Sequence, residues 1–166
     1  VNLLFAEDSW LPTTTVVFKR KLKRRFTLFH LVDDRSGRQV YLAIDQATSR
    51  QVVVKMERDD GGVDNEVCVY QRLQGCSGVA DLVWWGATTD IVWHEPVRVL
   101  VTSVYGVPLS ELRHRLSSRE LWRHAGQLSQ ALHAIHSRGI VHRDVKPSNV
   151  IVFNGQAFLI DFGLSV

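Results

Sequence analysis

The stretch with the most chemistry in its spacing runs from His142 to Gly163, HRDVKPSNVIVFNGQAFLIDFG. Asp144, Lys146 and Asn149 fall close together, and Asp161 follows twelve residues after Asn149. Between them lie two apolar runs, VIVF and AFLI, broken by Asn154-Gly155. Both residues of that dipeptide tolerate positive φ, which favours a type I′ turn and therefore a hairpin. A hairpin would return Asp161 to the side of Asn149. Two oxygen-bearing side chains would then converge where a hard cation such as Mg²⁺ can sit among phosphate oxygens. In this order the groups suit phosphoryl transfer from a magnesium nucleotide.

HRDVKPSN followed by DFG resembles the catalytic-loop and metal-binding signature of eukaryotic protein kinases. The resemblance implies that Asp144 receives or orients the proton of the attacking hydroxyl and that Lys146 steadies the transferring phosphate. It also implies that Asn149 and Asp161 hold Mg²⁺. Lys146-Pro147 is similar to the serine/threonine form of the loop. Either triplet alone arises by chance; both in order, with a turn between them, do so far less readily.

The elements that would position these groups are legible upstream. FTLFHLV, QVYLAI and QVVVKM read as three strands between Phe26 and Met56, with turns at 34–37 and 47–50. They resemble the opening sheet of a kinase N-lobe, and VVVK at 52–55 resembles the strand whose lysine anchors ATP. Lys55 is thus the implied nucleotide anchor. An ammonium ending a buried strand needs a partner once it is desolvated. Asp64 is expected to cap the next helix. Glu66, Tyr70 and Leu73 share one face of that helix at i, i+4, i+7, which makes Glu66 the expected partner and Glu57 the alternative. Two further strands are expected at 82–90 and 97–105, separated by His94-Glu95-Pro96.

The same resemblance places Thr102 at the gatekeeper position and has Ser103, Val104 and Tyr105 offer backbone groups to adenine. Val40, Val53 and Ile151 complete the implied nucleotide contacts, with Val53 where the family usually carries alanine. Gly106 to Leu109 should open a short helix through Leu116. Ser117 and Glu120 form a capping box for a longer helix burying Leu121, Ala125, Leu128, Leu132 and Ile135, with Gly139 as its left-handed cap. His133 and His136 on that helix have no third metal ligand nearby. His142 reads as a packing residue beneath Phe162, and Trp84, Trp85 and Trp93 as packing residues also.

One region departs from the family pattern. Aligning on Val40 puts Asp33, Arg35 and Arg38 where the phosphate-covering loop usually has glycines, and only Gly37 is present, out of place. Glycine lets backbone N–H groups approach phosphate without an intervening Cβ. Asp33 and Asp34 would repel phosphate, while Arg35 and Arg38 compensate by charge but not by geometry.

Composition bounds the rest. The 166 residues are 45% apolar with a formal charge of +3, as expected of a globular, core-forming chain. Six basic residues from Lys19 to Arg25 stand against Glu7 and Asp8, so the remaining chain is close to neutral. That run reads as a solvated strand edge, with a nuclear address or nucleic-acid contact as the alternatives. Cys68 and Cys76 form no disulfide framework or zinc pattern, which fits a reducing compartment, cytoplasmic or nuclear. No apolar run approaches the roughly 18 residues of a membrane span, and the start of the chain does not read as a signal peptide.

The expected architecture is α+β: an extension at 1–25, an antiparallel N-lobe with one helix at 26–105, and the first part of a helical C-lobe at 106–166. EVCVYQRLQGCSGVADLVWWGA resembles the same region of casein kinase 1-type and vaccinia-related-type kinases. Only three residues follow Gly163, whereas the family continues with an activation segment and further helices, and the chain opens on Val1 without Met. A truncated domain of marginal stability is therefore expected. The expected activity is ATP-dependent phosphorylation of a protein serine or threonine, with Mg²⁺, a protein substrate, no membrane and no nucleic acid. A non-catalytic pseudokinase that binds a partner is the alternative; a small-molecule phosphotransferase is disfavoured by Lys146-Pro147 and Gly163.

Overall fold

A computed structural model of the chain describes residues 20–35, 37–58, 62–89, 95–112 and 114–166. Lys19, Ser36, residues 59–61, Trp93 and His94 lie outside the described residues. The first strands form a meander of β1 (Arg20–Leu22), β2 (Phe26–Arg35), β3 (Arg38–Asp45) and β4 (Arg50–Arg58). Strand side chains alternate between faces, so Val52, Val54 and Met56 of β4 are buried on one side. Val53, Lys55 and Glu57 share the other. After α1 (Gly62–Arg72) come β5 (Leu82–Thr89) and β6 (Pro96–Thr102). The sheet order is β1-β2-β3-β4-β6-β5, antiparallel throughout.

A second, three-stranded sheet joins β7 (Val107–Pro108), β8 (Val150–Phe153) and β9 (Gln156–Leu159). Between β7 and β8 lie the short α2 (Leu109–Leu112), the long α3 (Ser118–His136) and a 3-10 turn at Pro147–Asn149. One core fills the outer face of the large sheet, from Phe26 and Leu28 across to Val97 and Val99. The other gathers Val67 and Tyr70 of α1, Leu73 just beyond it, Leu100 of β6, Ile135 of α3, and Leu159 and Phe162. That second core binds helix, sheet and hairpin into one framework under the site. Among the described residues no helix is long and apolar enough to cross a membrane.

Several boundaries differ from expectation for identifiable reasons. β2 runs on to Arg35 and pairs Arg35 with Arg38, with register shifts at Leu28/His30 and Leu31/Asp33. With side chains in place of glycines, the expected phosphate loop is a continued hairpin. Asp64 lies within the first turn of α1 and pairs with Arg98 at 3.4 Å, so it serves the helix dipole and is not the cap. α2 begins only at Leu109, because Val107 and Pro108 pair with Val152 and Ile151 of β8, and it runs to Leu112.

The capping box at Ser117 and Glu120 forms as expected, and Ile135 is buried with Leu128 and Leu132 packed against the core, but the first turns of α3 bury a different face. His124, Ala131 and Ile135 are buried, while Leu121 and Ala125 are exposed and Trp122 is 79% exposed. The reason is polar. His124 Nδ1 meets Gln127 Oε1 at 3.0 Å, and Gln127 accepts from Ala157 N and donates to Gly155 O. Two residues that look solvent-facing in sequence are spent on fastening the β8–β9 hairpin.

The basic run is partly committed to structure. Arg20–Leu22 pair along the edge of β2, and Arg25 donates Nε and Nη2 to Asp45 at 2.8 Å each while covering the Phe26 ring. Asp45 also accepts from Ala47 N and Thr48 Oγ1. Those contacts, Arg25 above all, hold the Asp45 carboxyl down to about 2. A depressed carboxyl stabilises the fold above its unfolded value and loses that contribution as pH falls. Asp45→Asn should therefore destabilise the chain by about 2 kcal/mol at neutral pH. In denaturant melts the difference from wild type should shrink as pH falls from about 4 toward 2.

Candidate active site

Lys55 sits at the face of β4 that looks away from the outer core, opposite Val40 in register. Its Nζ donates to Glu66 Oε2 at 2.6 Å, with Glu57 at 3.4 Å and Asp161 at 3.7 Å. The expected partner and the alternative both reach it; Glu66 is nearer and is only 2% exposed. Burial works against the ammonium, but Glu66 and the other carboxylates outweigh it and raise the Lys55 pKa. Burial pushes the Glu66 carboxyl up, and Lys55 offsets that in part. We take Lys55 as firmly cationic, because three carboxylates face it.

Glu66 has a second duty. Its Oε1 accepts from the backbone N–H of Phe162 at 3.2 Å. Phe162 is fully buried, edge-on to Tyr70 at 5.1 Å and tilted against His142 at 4.7 Å. Burying such a ring contributes about 2–3 kcal/mol. The residue just before Phe162 is Asp161, so one buried carboxylate ties Lys55 and the Asp161 segment to the same point of α1.

The hairpin forms as the Asn154-Gly155 pair requires, with φ of 48° and 72° at the two turn residues. Val150 pairs with Leu159, and Ile160 N donates to Asn149 O at 3.0 Å. Asp161 is thereby returned beside Asn149. Arg143 and Asp161 both hold positive φ, 65° and 66°, conformations that cost an ordinary residue about 1–3 kcal/mol. Asp tolerates it better than Arg, and the Arg143 side chain is fastened to the Leu164 carbonyl.

His142 supports this loop from beneath. Asp144 N–H donates to His142 Nδ1 at 3.2 Å, so Nε2 carries the proton and donates to Ile160 O at 3.0 Å. Burial lowers the His142 pKa and keeps that neutral form. Asp144 in turn accepts from Lys146 Nζ at 2.7 Å and Asn149 Nδ2 at 2.8 Å. The Lys146 bond first, then that from Asn149, lowers the Asp144 pKa. Asn149 spends its NH₂ on Asp144, which leaves its carbonyl oxygen as the end that can take a cation.

Lys55, Lys146, Asn149 and Asp161 open on a cleft of about 630 Å³ between the two sheets, within the range of small-molecule sites. Asp144 does not line it and adjoins it through Lys146 and Asn149. Val40, Val53, Lys55, Glu66, Thr102, Tyr105, Lys146, Asn149, Ile151 and Asp161 all line it. Ser103 does not. Its N–H donates to Asp81 O and its hydroxyl accepts from Asp81 N, both at 2.9 Å, so of its backbone groups only the carbonyl remains for a ligand. Leu100 and Ile160 also line the cleft and were missed in the sequence. Leu100 lies two residues before Thr102 on β6, and period two would have put it on the same face.

Apolar walls at one end suit a planar base, and cations with oxygen ligands at the other suit phosphates and a hard metal. Asp161 carboxylate and Asn149 carbonyl oxygens fit Mg²⁺, and Arg38 Nε is a buried donor with no acceptor. The residues present therefore fit a magnesium nucleotide.

A family model described as protein kinase domain matches residues 36–166. The chain belongs to the protein kinase family, and its α+β fold is that of a kinase domain. The antiparallel six-stranded sheet with helix α1 is the N-lobe of that fold.

Breaking the buried pair should be costly because it strands one charge. Glu66→Ala should cost about 3–5 kcal/mol in denaturant unfolding. The double variant Lys55→Met/Glu66→Met should recover a large part of that loss, giving a strongly non-additive cycle.

Proposed function

We propose that this chain is the catalytic core of an ATP-dependent protein serine/threonine kinase that uses Mg²⁺. What supports the reading most is the convergence of Lys55, Asn149 and Asp161 on one cleft from strands and loops distant in sequence, with Asp144 bonded to Asn149 beside it. Lys146-Pro147 inclines it to serine and threonine. The short linker into α1 and the segment after it incline the subfamily to casein kinase 1-like or vaccinia-related kinase-like enzymes. The free Cys68 and Cys76 accord with a reducing compartment, cytoplasmic or nuclear.

Bound Mg·ATP supplies the phosphoryl group and neutralises charge on the phosphates. In this reading Lys55 anchors the phosphates and Glu66 fixes its position. Val40, Val53, Thr102 and Ile151 enclose the base, with backbone groups of Ser103 and Tyr105 at its edge. Asn149 and Asp161 hold the metal through oxygen. Asp144 accepts the hydroxyl proton of the protein substrate as the new P–O bond forms and ADP departs with the broken one. Its lowered pKa keeps it ionised and ready to accept. Lys146, hydrogen-bonded to Asp144, steadies the phosphoryl group in flight. The engagement of Arg25 by Asp45 inclines the basic run to a structural role rather than a nucleic-acid contact.

Phosphotransfer to protein substrates and nucleotide-dependent stabilisation test the reading together. Wild type should be stabilised by millimolar-order Mg·ATP. Asp144→Asn should lower transfer by about 10²- to 10⁴-fold while keeping that stabilisation. Lys55→Met should lose both. No nucleotide-dependent stabilisation of wild type would favour the partner-binding pseudokinase; full-rate transfer by Asp144→Asn would refute the assignment of the base.

A further inference from the structure

We propose that Arg38 binds the nucleotide phosphates with its side chain, taking over the task that backbone amides of a glycine-rich loop would perform. The inference rests on the nucleotide-binding reading above and adds a phosphate ligand to it. In the continued hairpin, Arg38 and Val40 of β3 share the face that lines the cleft, while Gln39 is buried on the other. Val40 is paired with Lys55. Arg38 thus lies one step beyond the anchor lysine, toward the tip of the hairpin and over the charged end of the cleft.

Its guanidinium is already placed for the task. Nη1 is 3.6 Å from Asp161 Oδ2, while Lys55 Nζ stands 3.7 Å from Oδ1 of the same carboxylate. Two cations from neighbouring strands bracket the carboxylate that would hold the metal. Nη2 donates to Asp33 Oδ2 at 3.4 Å, and Arg35 Nε donates to Asp33 Oδ1 at 3.1 Å. Asp33 is thereby neutralised by two guanidiniums, so the trio keeps a positive charge where sequence alone suggested repulsion. Asp34 is exposed and accepts from Gln39, and it does not line the cleft.

Arg38 Nε is shut off from water and meets no acceptor. A buried unsatisfied donor is unfavourable, so the side chain gains by turning its guanidinium toward a phosphate oxygen in the cleft. Arginine suits this better than lysine because its planar fork offers several donors to a phosphate at once. A hairpin without glycines at its phosphate-facing positions no longer prevents phosphate binding, since the donor reaches in from a side chain.

The test is calorimetric binding of ATP, inorganic tripolyphosphate and adenosine, each with Mg²⁺, to wild type, Arg38→Ala and Arg38→Lys. Arg38→Ala should weaken ATP and tripolyphosphate about tenfold to a hundredfold, leave adenosine unchanged, and Arg38→Lys should recover part of the loss. Unchanged adenosine affinity also reports that the cleft remains folded. Equal ATP affinity in Arg38→Ala would overturn the proposal; tighter binding would do so too, by making the guanidinium an obstruction at Asp161. Adenosine weakened in parallel with ATP would overturn it by making Arg38 a brace of the hairpin. Failure of wild type to bind any of the three ligands would instead remove the nucleotide reading itself, before any substitution is made.

Discussion

The Lys55–Glu66 contact is the interaction on which the rest of the site depends. It joins β4 to α1 across 2.6 Å in a place with little access to water. A buried pair is not by itself a source of stability, because desolvation offsets the attraction. Its importance here is geometric. The second oxygen of Glu66 holds Phe162 N, and the Phe162 ring locks between Tyr70 and His142. Helix, sheet and Asp161 are registered by one carboxylate.

From that point the constraints run outward in a chain. Phe162 seats His142, His142 holds the backbone on either side of Asp144 and Ile160, and Asp144 holds Lys146 and Asn149. Each charged group of the proposed reaction has a named neighbour that fixes its direction before any ligand arrives. Preorganisation of this kind is what lets electrostatic groups act without first rearranging. Two of the positive-φ residues, Arg143 and Asp161, lie within this network, which is where stored strain can be held by many contacts.

Local chemistry made much of this legible in the sequence. Asn154-Gly155 dictates a tight turn, and the turn alone brings Asp161 back to Asn149. Alternation on β4 and the i, i+4, i+7 face of α1 point Lys55 and Glu66 toward each other. The capping box fixes the start of α3. What escaped were contacts with no local period. His124 and Gln127 look like solvent-facing residues until the backbone of a distant hairpin needs their polar ends. Ser103 is drawn from the cleft by Asp81, and Asp33 is neutralised by arginines only when β2 and β3 continue past their expected turn. Arg38 meets Asp161 across more than a hundred residues of chain, and no spacing rule foretells that.

The central claim is that this preorganised cleft is a site for a metal-bound nucleotide, with Asp161 at its charged end. The most direct measurement is ATP affinity with and without Mg²⁺ for wild type and Asp161→Asn, with thermal unfolding of the free proteins to confirm that both are folded. The account predicts that Mg²⁺ tightens ATP binding in wild type and has little effect in Asp161→Asn. Mg²⁺-independent ATP affinity in wild type, or the same metal dependence in both proteins, would contradict it.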